Sequence, residues 1–285
     1  MGSIVKNVGY YDLNNSEITF IMALQNSLFQ PFYLGNLSLE NRIIMAPMTR
    51  NFSPNDNIPR DNIVDYYRRR AEGGVGLIIT EGTCVGHRSA SGYPSIPYFH
   101  GEARLAGWKK VVDTVHAAGG KIAPQLWHVG AVRKSGTMPE GDVPGYGPSG
   151  MNVPGKVNRH VMTQQYIDDV VETFAQAASD AKDVGFDAVE LHGAHGYLFD
   201  QFFWEGTNQR DDQYADFTPK PGEMTSREAD TASLDTLLHR LDNQEFDLVA
   251  VGRALIANPD WVNLVKAKRM DDLKPFHKEH LGELI

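Results

Sequence analysis

The chain has 285 residues, 41% of them hydrophobic, which is enough to bury the core of one large α/β domain or two small ones. A formal net charge of −9 argues against nucleic acid or an anionic membrane surface as a partner. The single cysteine, Cys84, excludes an intrachain disulfide framework and suits a reducing compartment such as the cytoplasm, and no apolar run approaches the roughly 20 residues of a membrane span.

Residues 1–21 are polar and lack the basic start and apolar centre of a signal peptide, so they are expected to form an unstructured tail. Met22 reads as a second, more natural start, and the organised domain is expected over 22–285. "RIIMAP" (Arg42–Pro47) is strand-like. "RDNIVDYYRRRAEGG" reads as a helix, with Asp61 as its cap and Gly73–Gly74 as its stop. "VGLIITEGT" is a buried strand, "GEARLAGWKKVVDTVHAAGG" a helix ended by paired glycines, and "KIAPQLWHVG" a third strand.

A Gly/Pro-rich stretch from Arg133 to Met162 is too long for an ordinary connection, which marks it as functional. "TQQYIDDVVETFAQAASDAKDVGF" is the clearest helix and starts at a Thr cap, and "DAVELHG" is the fourth strand. Later, "SLDTLLHRLDNQEF" is helical and "DLVAVGRALI" is a strand entering a short helix. Continuously apolar strands alternating with helices imply a parallel sheet covered on both faces. No G-x-G-x-x-G follows a strand, so a (β/α)8 barrel is preferred to a doubly wound sheet. Polar residues follow the strands, where such a barrel places its active site.

Taken singly, the candidate site residues are open to plain readings. Within a strand, residues three apart face opposite sides, so His192 and His195 converge only if the backbone breaks, as Gly193 and Gly196 permit. Taken alone, the pair reads more readily as packing or surface polarity than as two ligands of a metal, for which no third is nearby. Tyr197 reads as a half-buried aromatic and Gln125 as a strand cap. Arg253 after Gly252 is either a surface charge or a phosphate contact, and Cys84 is a buried small side chain.

Together, "APMTR", "TEGT", "PQLWHVG", "ELHGAHGYLFDQFF", "TNQRDDQY" and "VGRALIANPD" resemble the old yellow enzyme family in order and spacing. The resemblance implies an FMN-containing (β/α)8 TIM barrel that takes hydride from NADPH or NADH and reduces activated C=C bonds in enones, enals and related electrophilic alkenes. It implies that Thr49 hydrogen-bonds the flavin, with backbone contacts from Pro47 and Met48. Gly82 would let the backbone approach the ring, Gln125 would meet the pyrimidine edge, and Gly252 and Arg253 would receive the phosphate. His192 and His195 would grip the substrate oxygen, Tyr197 would donate the proton, and no metal would be held. The chemistry supports such a set, because two N–H donors aimed at one developing oxyanion contribute on the order of 3 kcal/mol each. A phenol with its usual pKa near 10 stays protonated at neutral pH and can act as the acid.

The sequence departs from the family pattern near residue 215. "TNQRDDQYA" runs directly into "DFTPKPGEMTSREADTASLDTLL", where family chains carry a much longer stretch. Five strands are recognised where the barrel has eight, and strands five to seven are missing. Strands four and eight are therefore expected to have unpaired edges and exposed apolar faces, a state that favours a homo-oligomer and weak FMN binding. The alternatives are a degenerate, non-catalytic barrel fragment with little or no flavin, and a metal-dependent barrel enzyme built on the two histidines.

Overall fold

The computed structural model of the chain describes residues 8–11, 25–138, 140–215 and 240–285. Its centre is a six-stranded sheet with the order β1-β12-β4-β5-β6-β11, every neighbouring pair parallel. These strands are β1 (Val8–Tyr11), β4 (Ile43–Met45), β5 (Leu77–Cys84), β6 (Ile122–Trp127), β11 (Glu190–Leu191) and β12 (Leu248–Val251). All five strands expected from the sequence form, and they lie in the order that a barrel requires of its strands eight, one, two, three and four. The architecture is thus an incomplete (β/α)8 barrel.

Alternate side chains of each strand enter two separate clusters, as the period of two demands. Ile44, Leu77, Ile79, Ala123 and Leu248 pack with Leu39 on one face, whereas Ile43, Met45, Ile78, Ile122, Val249 and Val251 join the larger cluster formed with the helices. Leu39 comes from a hairpin of β2 (Phe32–Leu34) and β3 (Leu37–Leu39). It turns at Gly35, whose φ of 58° a side chain would resist.

After the single turn of α1 (Gln25–Leu28), three long helices among the described residues cover the outer face: α2 (Asp61–Glu72), α3 (Glu102–Ala117) and α4 (Gln164–Val184). In α4 the Thr163 side chain accepts the Tyr166 N–H, as the sequence predicts for a cap, and the helix ends at Gly185 with φ of 102°. In α2 the expected cap is displaced by one residue. Arg60 takes the N-cap position without a side-chain bond, and Asp61 begins the helix, paired with Lys110 on α3 at 2.5 Å. The carboxylate still sits at the positive end of the helix dipole.

The long stretch from Arg133 to Met162 contains a small hairpin, β8 (Met151–Val153) with β9 (Lys156–Val157), and a short parallel pairing of β7 (Tyr146–Gly147) with β10 (His160–Val161). The first half of the helix expected over "SLDTLLHRLDNQEF", 233–239, lies outside the described residues; 240–242 are helical, and the helix stops before Asn243, short of the expected end.

The two ends of the sheet differ. Beyond β11 no strand follows among the described residues, and Val189 and Leu191 stand 42% and 49% exposed, as the open-edge expectation requires. Beyond β12 that expectation fails, because Val8–Tyr11 pairs with Leu248–Val251 in parallel register. Val8–Tyr11, within the 1–21 stretch, is thus a strand of the central sheet. An unpaired edge offers a row of N–H and C=O groups, and "VGYY", rich in strand-forming residues, can satisfy them.

Candidate active site

The residues singled out in the sequence lie at one rim, the C-terminal ends of β12, β4, β5, β6 and β11. The break after β11 is built differently from the sequence expectation. The His192 N–H donates to Leu126 O at 3.0 Å, continuing the ladder one step past the strand. The chain then turns at His195 and Gly196, both left-handed with φ of 64° and 75°. Gly193 is not the turning residue. The histidine itself adopts the uncommon conformation, and neighbours hold it there. The Gly196 N–H donates to the Asp200 carboxylate at 2.6 Å, and its carbonyl accepts from Gln201 Nε2 at 2.7 Å. Tyr197 then opens the short helix α5 (Leu198–Phe203).

The turn gathers His192, His195 and Tyr197. The His192 ring lies 5.3 Å from that of His195 and 4.9 Å from that of Tyr197, edge-on to both. Trp127, at the end of β6, forms the floor: His192 stacks on it at 5.8 Å and Tyr197 meets it edge-on at 4.9 Å. The indole N–H of Trp127 is buried without a partner among the described residues, a donor left over in the wall of the site. Tyr93 completes the box. It stacks on Trp127 at an interplanar angle of 17°, and its hydroxyl accepts from Tyr197 Oη at 3.1 Å.

Burial, reinforced by the charge of His195, pushes the His192 imidazole down to about 4. The ring is therefore neutral at physiological pH and presents one N–H. Burial, with the hydrogen bond donated to Tyr93, holds the Tyr197 phenol above its ordinary range, so it keeps its proton. Cys84 is buried, its thiol pushed up to about 12, and is no nucleophile. Among the described residues no three His, Cys, Asp or Glu side chains gather as a metal site.

The remaining candidates line the neighbouring strand ends. Thr49 is exposed just beyond β4. Gln125 is 5% exposed at the end of β6, and its Nε2 donates to Glu190 on β11 at 3.3 Å. A side chain on Gly82 would meet the Trp127 ring at 2.6 Å, so this glycine admits the indole on that side. Gly252 follows β12 beside Met48, whose sulfur lies 3.6 Å from where a Cβ would stand. The ends of β12 and β4 are thereby brought together. Arg253 is exposed, its guanidinium 5.8 Å over the Phe276 ring.

This donor set fits a flavin mononucleotide. It offers a hydroxyl, a carboxamide able both to donate and to accept, and an exposed guanidinium beside a backbone turn for a dianion, all along one rim. Tyr93 and Gln201 escape the sequence reading, and Glu81 shows there only as one of the polar residues that follow a strand. Tyr93 sits in a loop with no periodic signal. The other two act on backbone groups, and such pairing leaves no pattern in a single sequence.

An open parallel α/β sheet with its polar residues gathered at the C-terminal strand ends defines the fold class, an incomplete (β/α)8 barrel. The pattern of the NADH:flavin oxidoreductase / NADH oxidase family matches residues 27–216, and the chain belongs to this family, of the old yellow enzyme type. It is 38% identical over 200 residues to flavin oxidoreductase hxnT of Emericella nidulans, covering 66% of this chain and 50% of that protein. It is 36% identical over 203 residues to 12-oxophytodienoate reductase 7 of Oryza sativa subsp. japonica, covering 67% and 50%. The chain thus spans about half the length of these curated relatives. The solved structure of morphinone reductase in complex with tetrahydroNAD is similar with a TM-score of 0.76 at 29% identity, the match spanning 90% of this chain and 94% of that one. No described helix is long and apolar enough to cross a membrane.

Proposed function

We propose that the chain is an NAD(P)H-dependent FMN reductase of activated alkenes, acting on small enones, enals and related electrophiles. The observation that carries this reading is the convergence of His192, His195 and Tyr197 on the Trp127 floor, at the same rim as Thr49, Gln125, Gly252 and Arg253. FMN, when bound, supplies the carrier that accepts hydride from NAD(P)H and delivers it to the β-carbon of the alkene.

The rest is done by the chain's own residues. Thr49 and Gln125 hold the ring edge, with backbone contacts from Pro47, Met48 and Gly82, while Gly252 and Arg253 hold the phosphate. His192 and His195 donate to the substrate carbonyl oxygen, which gains negative charge as the β-carbon is reduced. Donors fixed before the reaction stabilise that charge without reorganising. His192 serves as a neutral donor, its imidazole held near 4. Tyr197 gives its proton to the α-carbon, and the Tyr93 hydroxyl that accepts from it orients the phenol in the meantime. The aromatic walls keep water from the enolate and favour flat, conjugated substrates. A reducing compartment supplied with NAD(P)H, such as the cytoplasm, suits both the single thiol and the hydride donor.

The open β11 edge favours a second reading, a barrel fragment that binds flavin weakly and survives by assembling with another copy. Purification of the full chain with FMN in the buffer separates the two. A yellow protein that releases FMN on denaturation and oxidises NADPH in the presence of cyclohexenone supports the enzyme. A colourless protein inert toward both refutes it and leaves the second reading.

A further inference from the structure

Glu81 is 2% exposed, yet the residues that line the rim do not explain why a carboxyl should be buried there. It lies at a β-bulge. The pairing of β5 with β6 runs Ile79↔Ala123 and then Gly82↔Gln125, so Thr80 and Glu81 together oppose Pro124. Proline offers no N–H to the ladder, and the extra residue absorbs the gap. The freed groups are satisfied locally. Thr80 Oγ1 accepts the Gln125 N–H at 3.1 Å, and the Glu81 N–H donates to the Tyr67 hydroxyl at 2.9 Å.

The carboxylate itself reaches across to the turn after β4, where Glu81 Oε2 accepts the Arg50 N–H at 3.0 Å and the Asn51 amide adds to its stabilisation. Asn51 is left-handed, with φ of 58°, in the kind of backbone turn that lets consecutive amides face one anion. The Arg50 guanidinium secures the other side by donating to His280 O at 3.0 Å and Glu283 O at 2.7 Å. The turn so gripped carries Pro47, Met48 and Thr49.

We propose that Glu81 is a positioning residue whose carboxylate latches the Pro47–Asn51 turn and thereby sets Thr49 where the flavin meets it; the last clause rests on the flavin reading above. The charged and titratable groups that face it are Arg50 from the turn and Tyr67 from α2, while β6 opposes it with Pro124. Burial, the largest influence, pushes the Glu81 carboxyl up to about 7 against the pull of those amides and of Arg50. The latch is therefore tight when the group is ionised and loosens as pH falls through neutrality.

The test is hydrogen–deuterium exchange of the flavin-free full chain at pH 6, 7 and 8, corrected for intrinsic rates. Peptides covering 46–52 should lose protection in the wild type as pH falls. In Glu81→Gln they should exchange about ten-fold faster at pH 8 and show no such pH profile, with 122–127 unchanged, because the amide loses its charged acceptor. Wild-type protection of that turn in Glu81→Gln overturns the proposal. So does a flat wild-type profile, which needs no variant and decides the matter even if Glu81→Gln fails to fold. Fluorescence titration with riboflavin, which lacks the titrating phosphate, should show about ten-fold weaker binding to Glu81→Gln. A turn that loses protection in a chain that binds no flavin supports the latch and refutes the flavin reading. Unchanged protection with normal flavin binding does the reverse.

Discussion

Gln201 is the side chain on which the geometry of the histidine turn most depends, and Gln201→Leu is the perturbation that shows it. The residue is 2% exposed. Its Oε1 accepts the Ala131 N–H at 2.9 Å, and its Nε2 donates to Val129 O at 3.3 Å and to Gly196 O at 2.7 Å. Leucine has nearly the same volume, so the packing survives and only the hydrogen bonds are lost. Val129 and Ala131 are fully buried, so the freed Ala131 N–H finds no water, while Val129 O keeps the Val132 N–H at 3.2 Å and the Gly196 carbonyl lies nearer the surface. An orphaned buried group costs about 1–3 kcal/mol, and a carbonyl is more tolerant than an N–H. The loss of stability should be about 3 kcal/mol, read as a shift of the urea midpoint with unchanged slope. Since Gly196 also loses its tether, phenol binding at His192 and His195 should weaken in the same variant. A change in stability under about 1 kcal/mol would refute the claim that these bonds hold the turn.

Tyr197→Phe should leave flavin reduction by NADPH near normal while slowing alkene reduction by roughly 10²–10⁴-fold, as loss of a general acid does; equal slowing of both half-reactions in stopped flow would assign Tyr197 a structural part. His192→Ala and His195→Ala should each weaken binding of a phenol by about 1.5–3 kcal/mol, as for a charge-assisted hydrogen bond, and unchanged affinity in both would remove them from the oxygen site. Burial lowers the imidazole pKa of His87, His100, His128 and His192 in the folded chain, whereas an unfolded histidine titrates near 6.5, so the unfolded state binds more protons below that pH. Their contribution is complete above about 6.5 and is lost as pH falls through each lowered value, which for His192 is about 4. Glu81, raised to about 7, acts in the opposite sense as one group against four, so the urea midpoint should fall between pH 7 and pH 5, and a rise would contradict the assignment.

The parts of this molecule that show in its sequence are those fixed by local chemistry or by period. Thr163 before α4, the paired Gly73 and Gly74 after α2, and the unbroken apolar runs of β5 and β6 all form as read. Asp61 misleads by one position because a carboxylate is welcome both at a cap and in the first turn. The histidine turn is legible as a break, but its cause is not. Gly193 and Gly196 are the residues a reader would choose; Gly196 does take a positive φ and is tethered by Asp200 and Gln201 from the next helix, but the other left-handed residue of the turn is His195 and not Gly193. The partner of β12 could not be read at all. Sheet order is a property of which edge is left open, and Val8–Tyr11 looks like any short strand-forming run until that edge exists.

The open edge falls on one half of the site. Thr49, Gln125, Gly252 and Arg253 belong to β4, β6 and β12 or the turns just beyond them, and each of these strands is flanked on both sides. His192, His195 and Tyr197 follow β11, which is two residues long and, among the described residues, paired only with β6. Val189 and Leu191 there stand 42% and 49% exposed. An edge held by one ladder and little burial opens by local fluctuation at lower free energy than a flanked strand. The substrate half should therefore be the looser one even where the flavin half is firm. Hydrogen exchange should show residues 188–197 losing protection at least ten-fold faster than 77–84, at protein concentrations low enough to keep the chain monomeric. Raising the concentration should restore that protection if a second copy covers β11, and size-exclusion chromatography should show the dimer over the same range. Equal protection of the two segments at the lowest concentration would mean that β11 is covered within the single chain, and the argument from its open edge would fall.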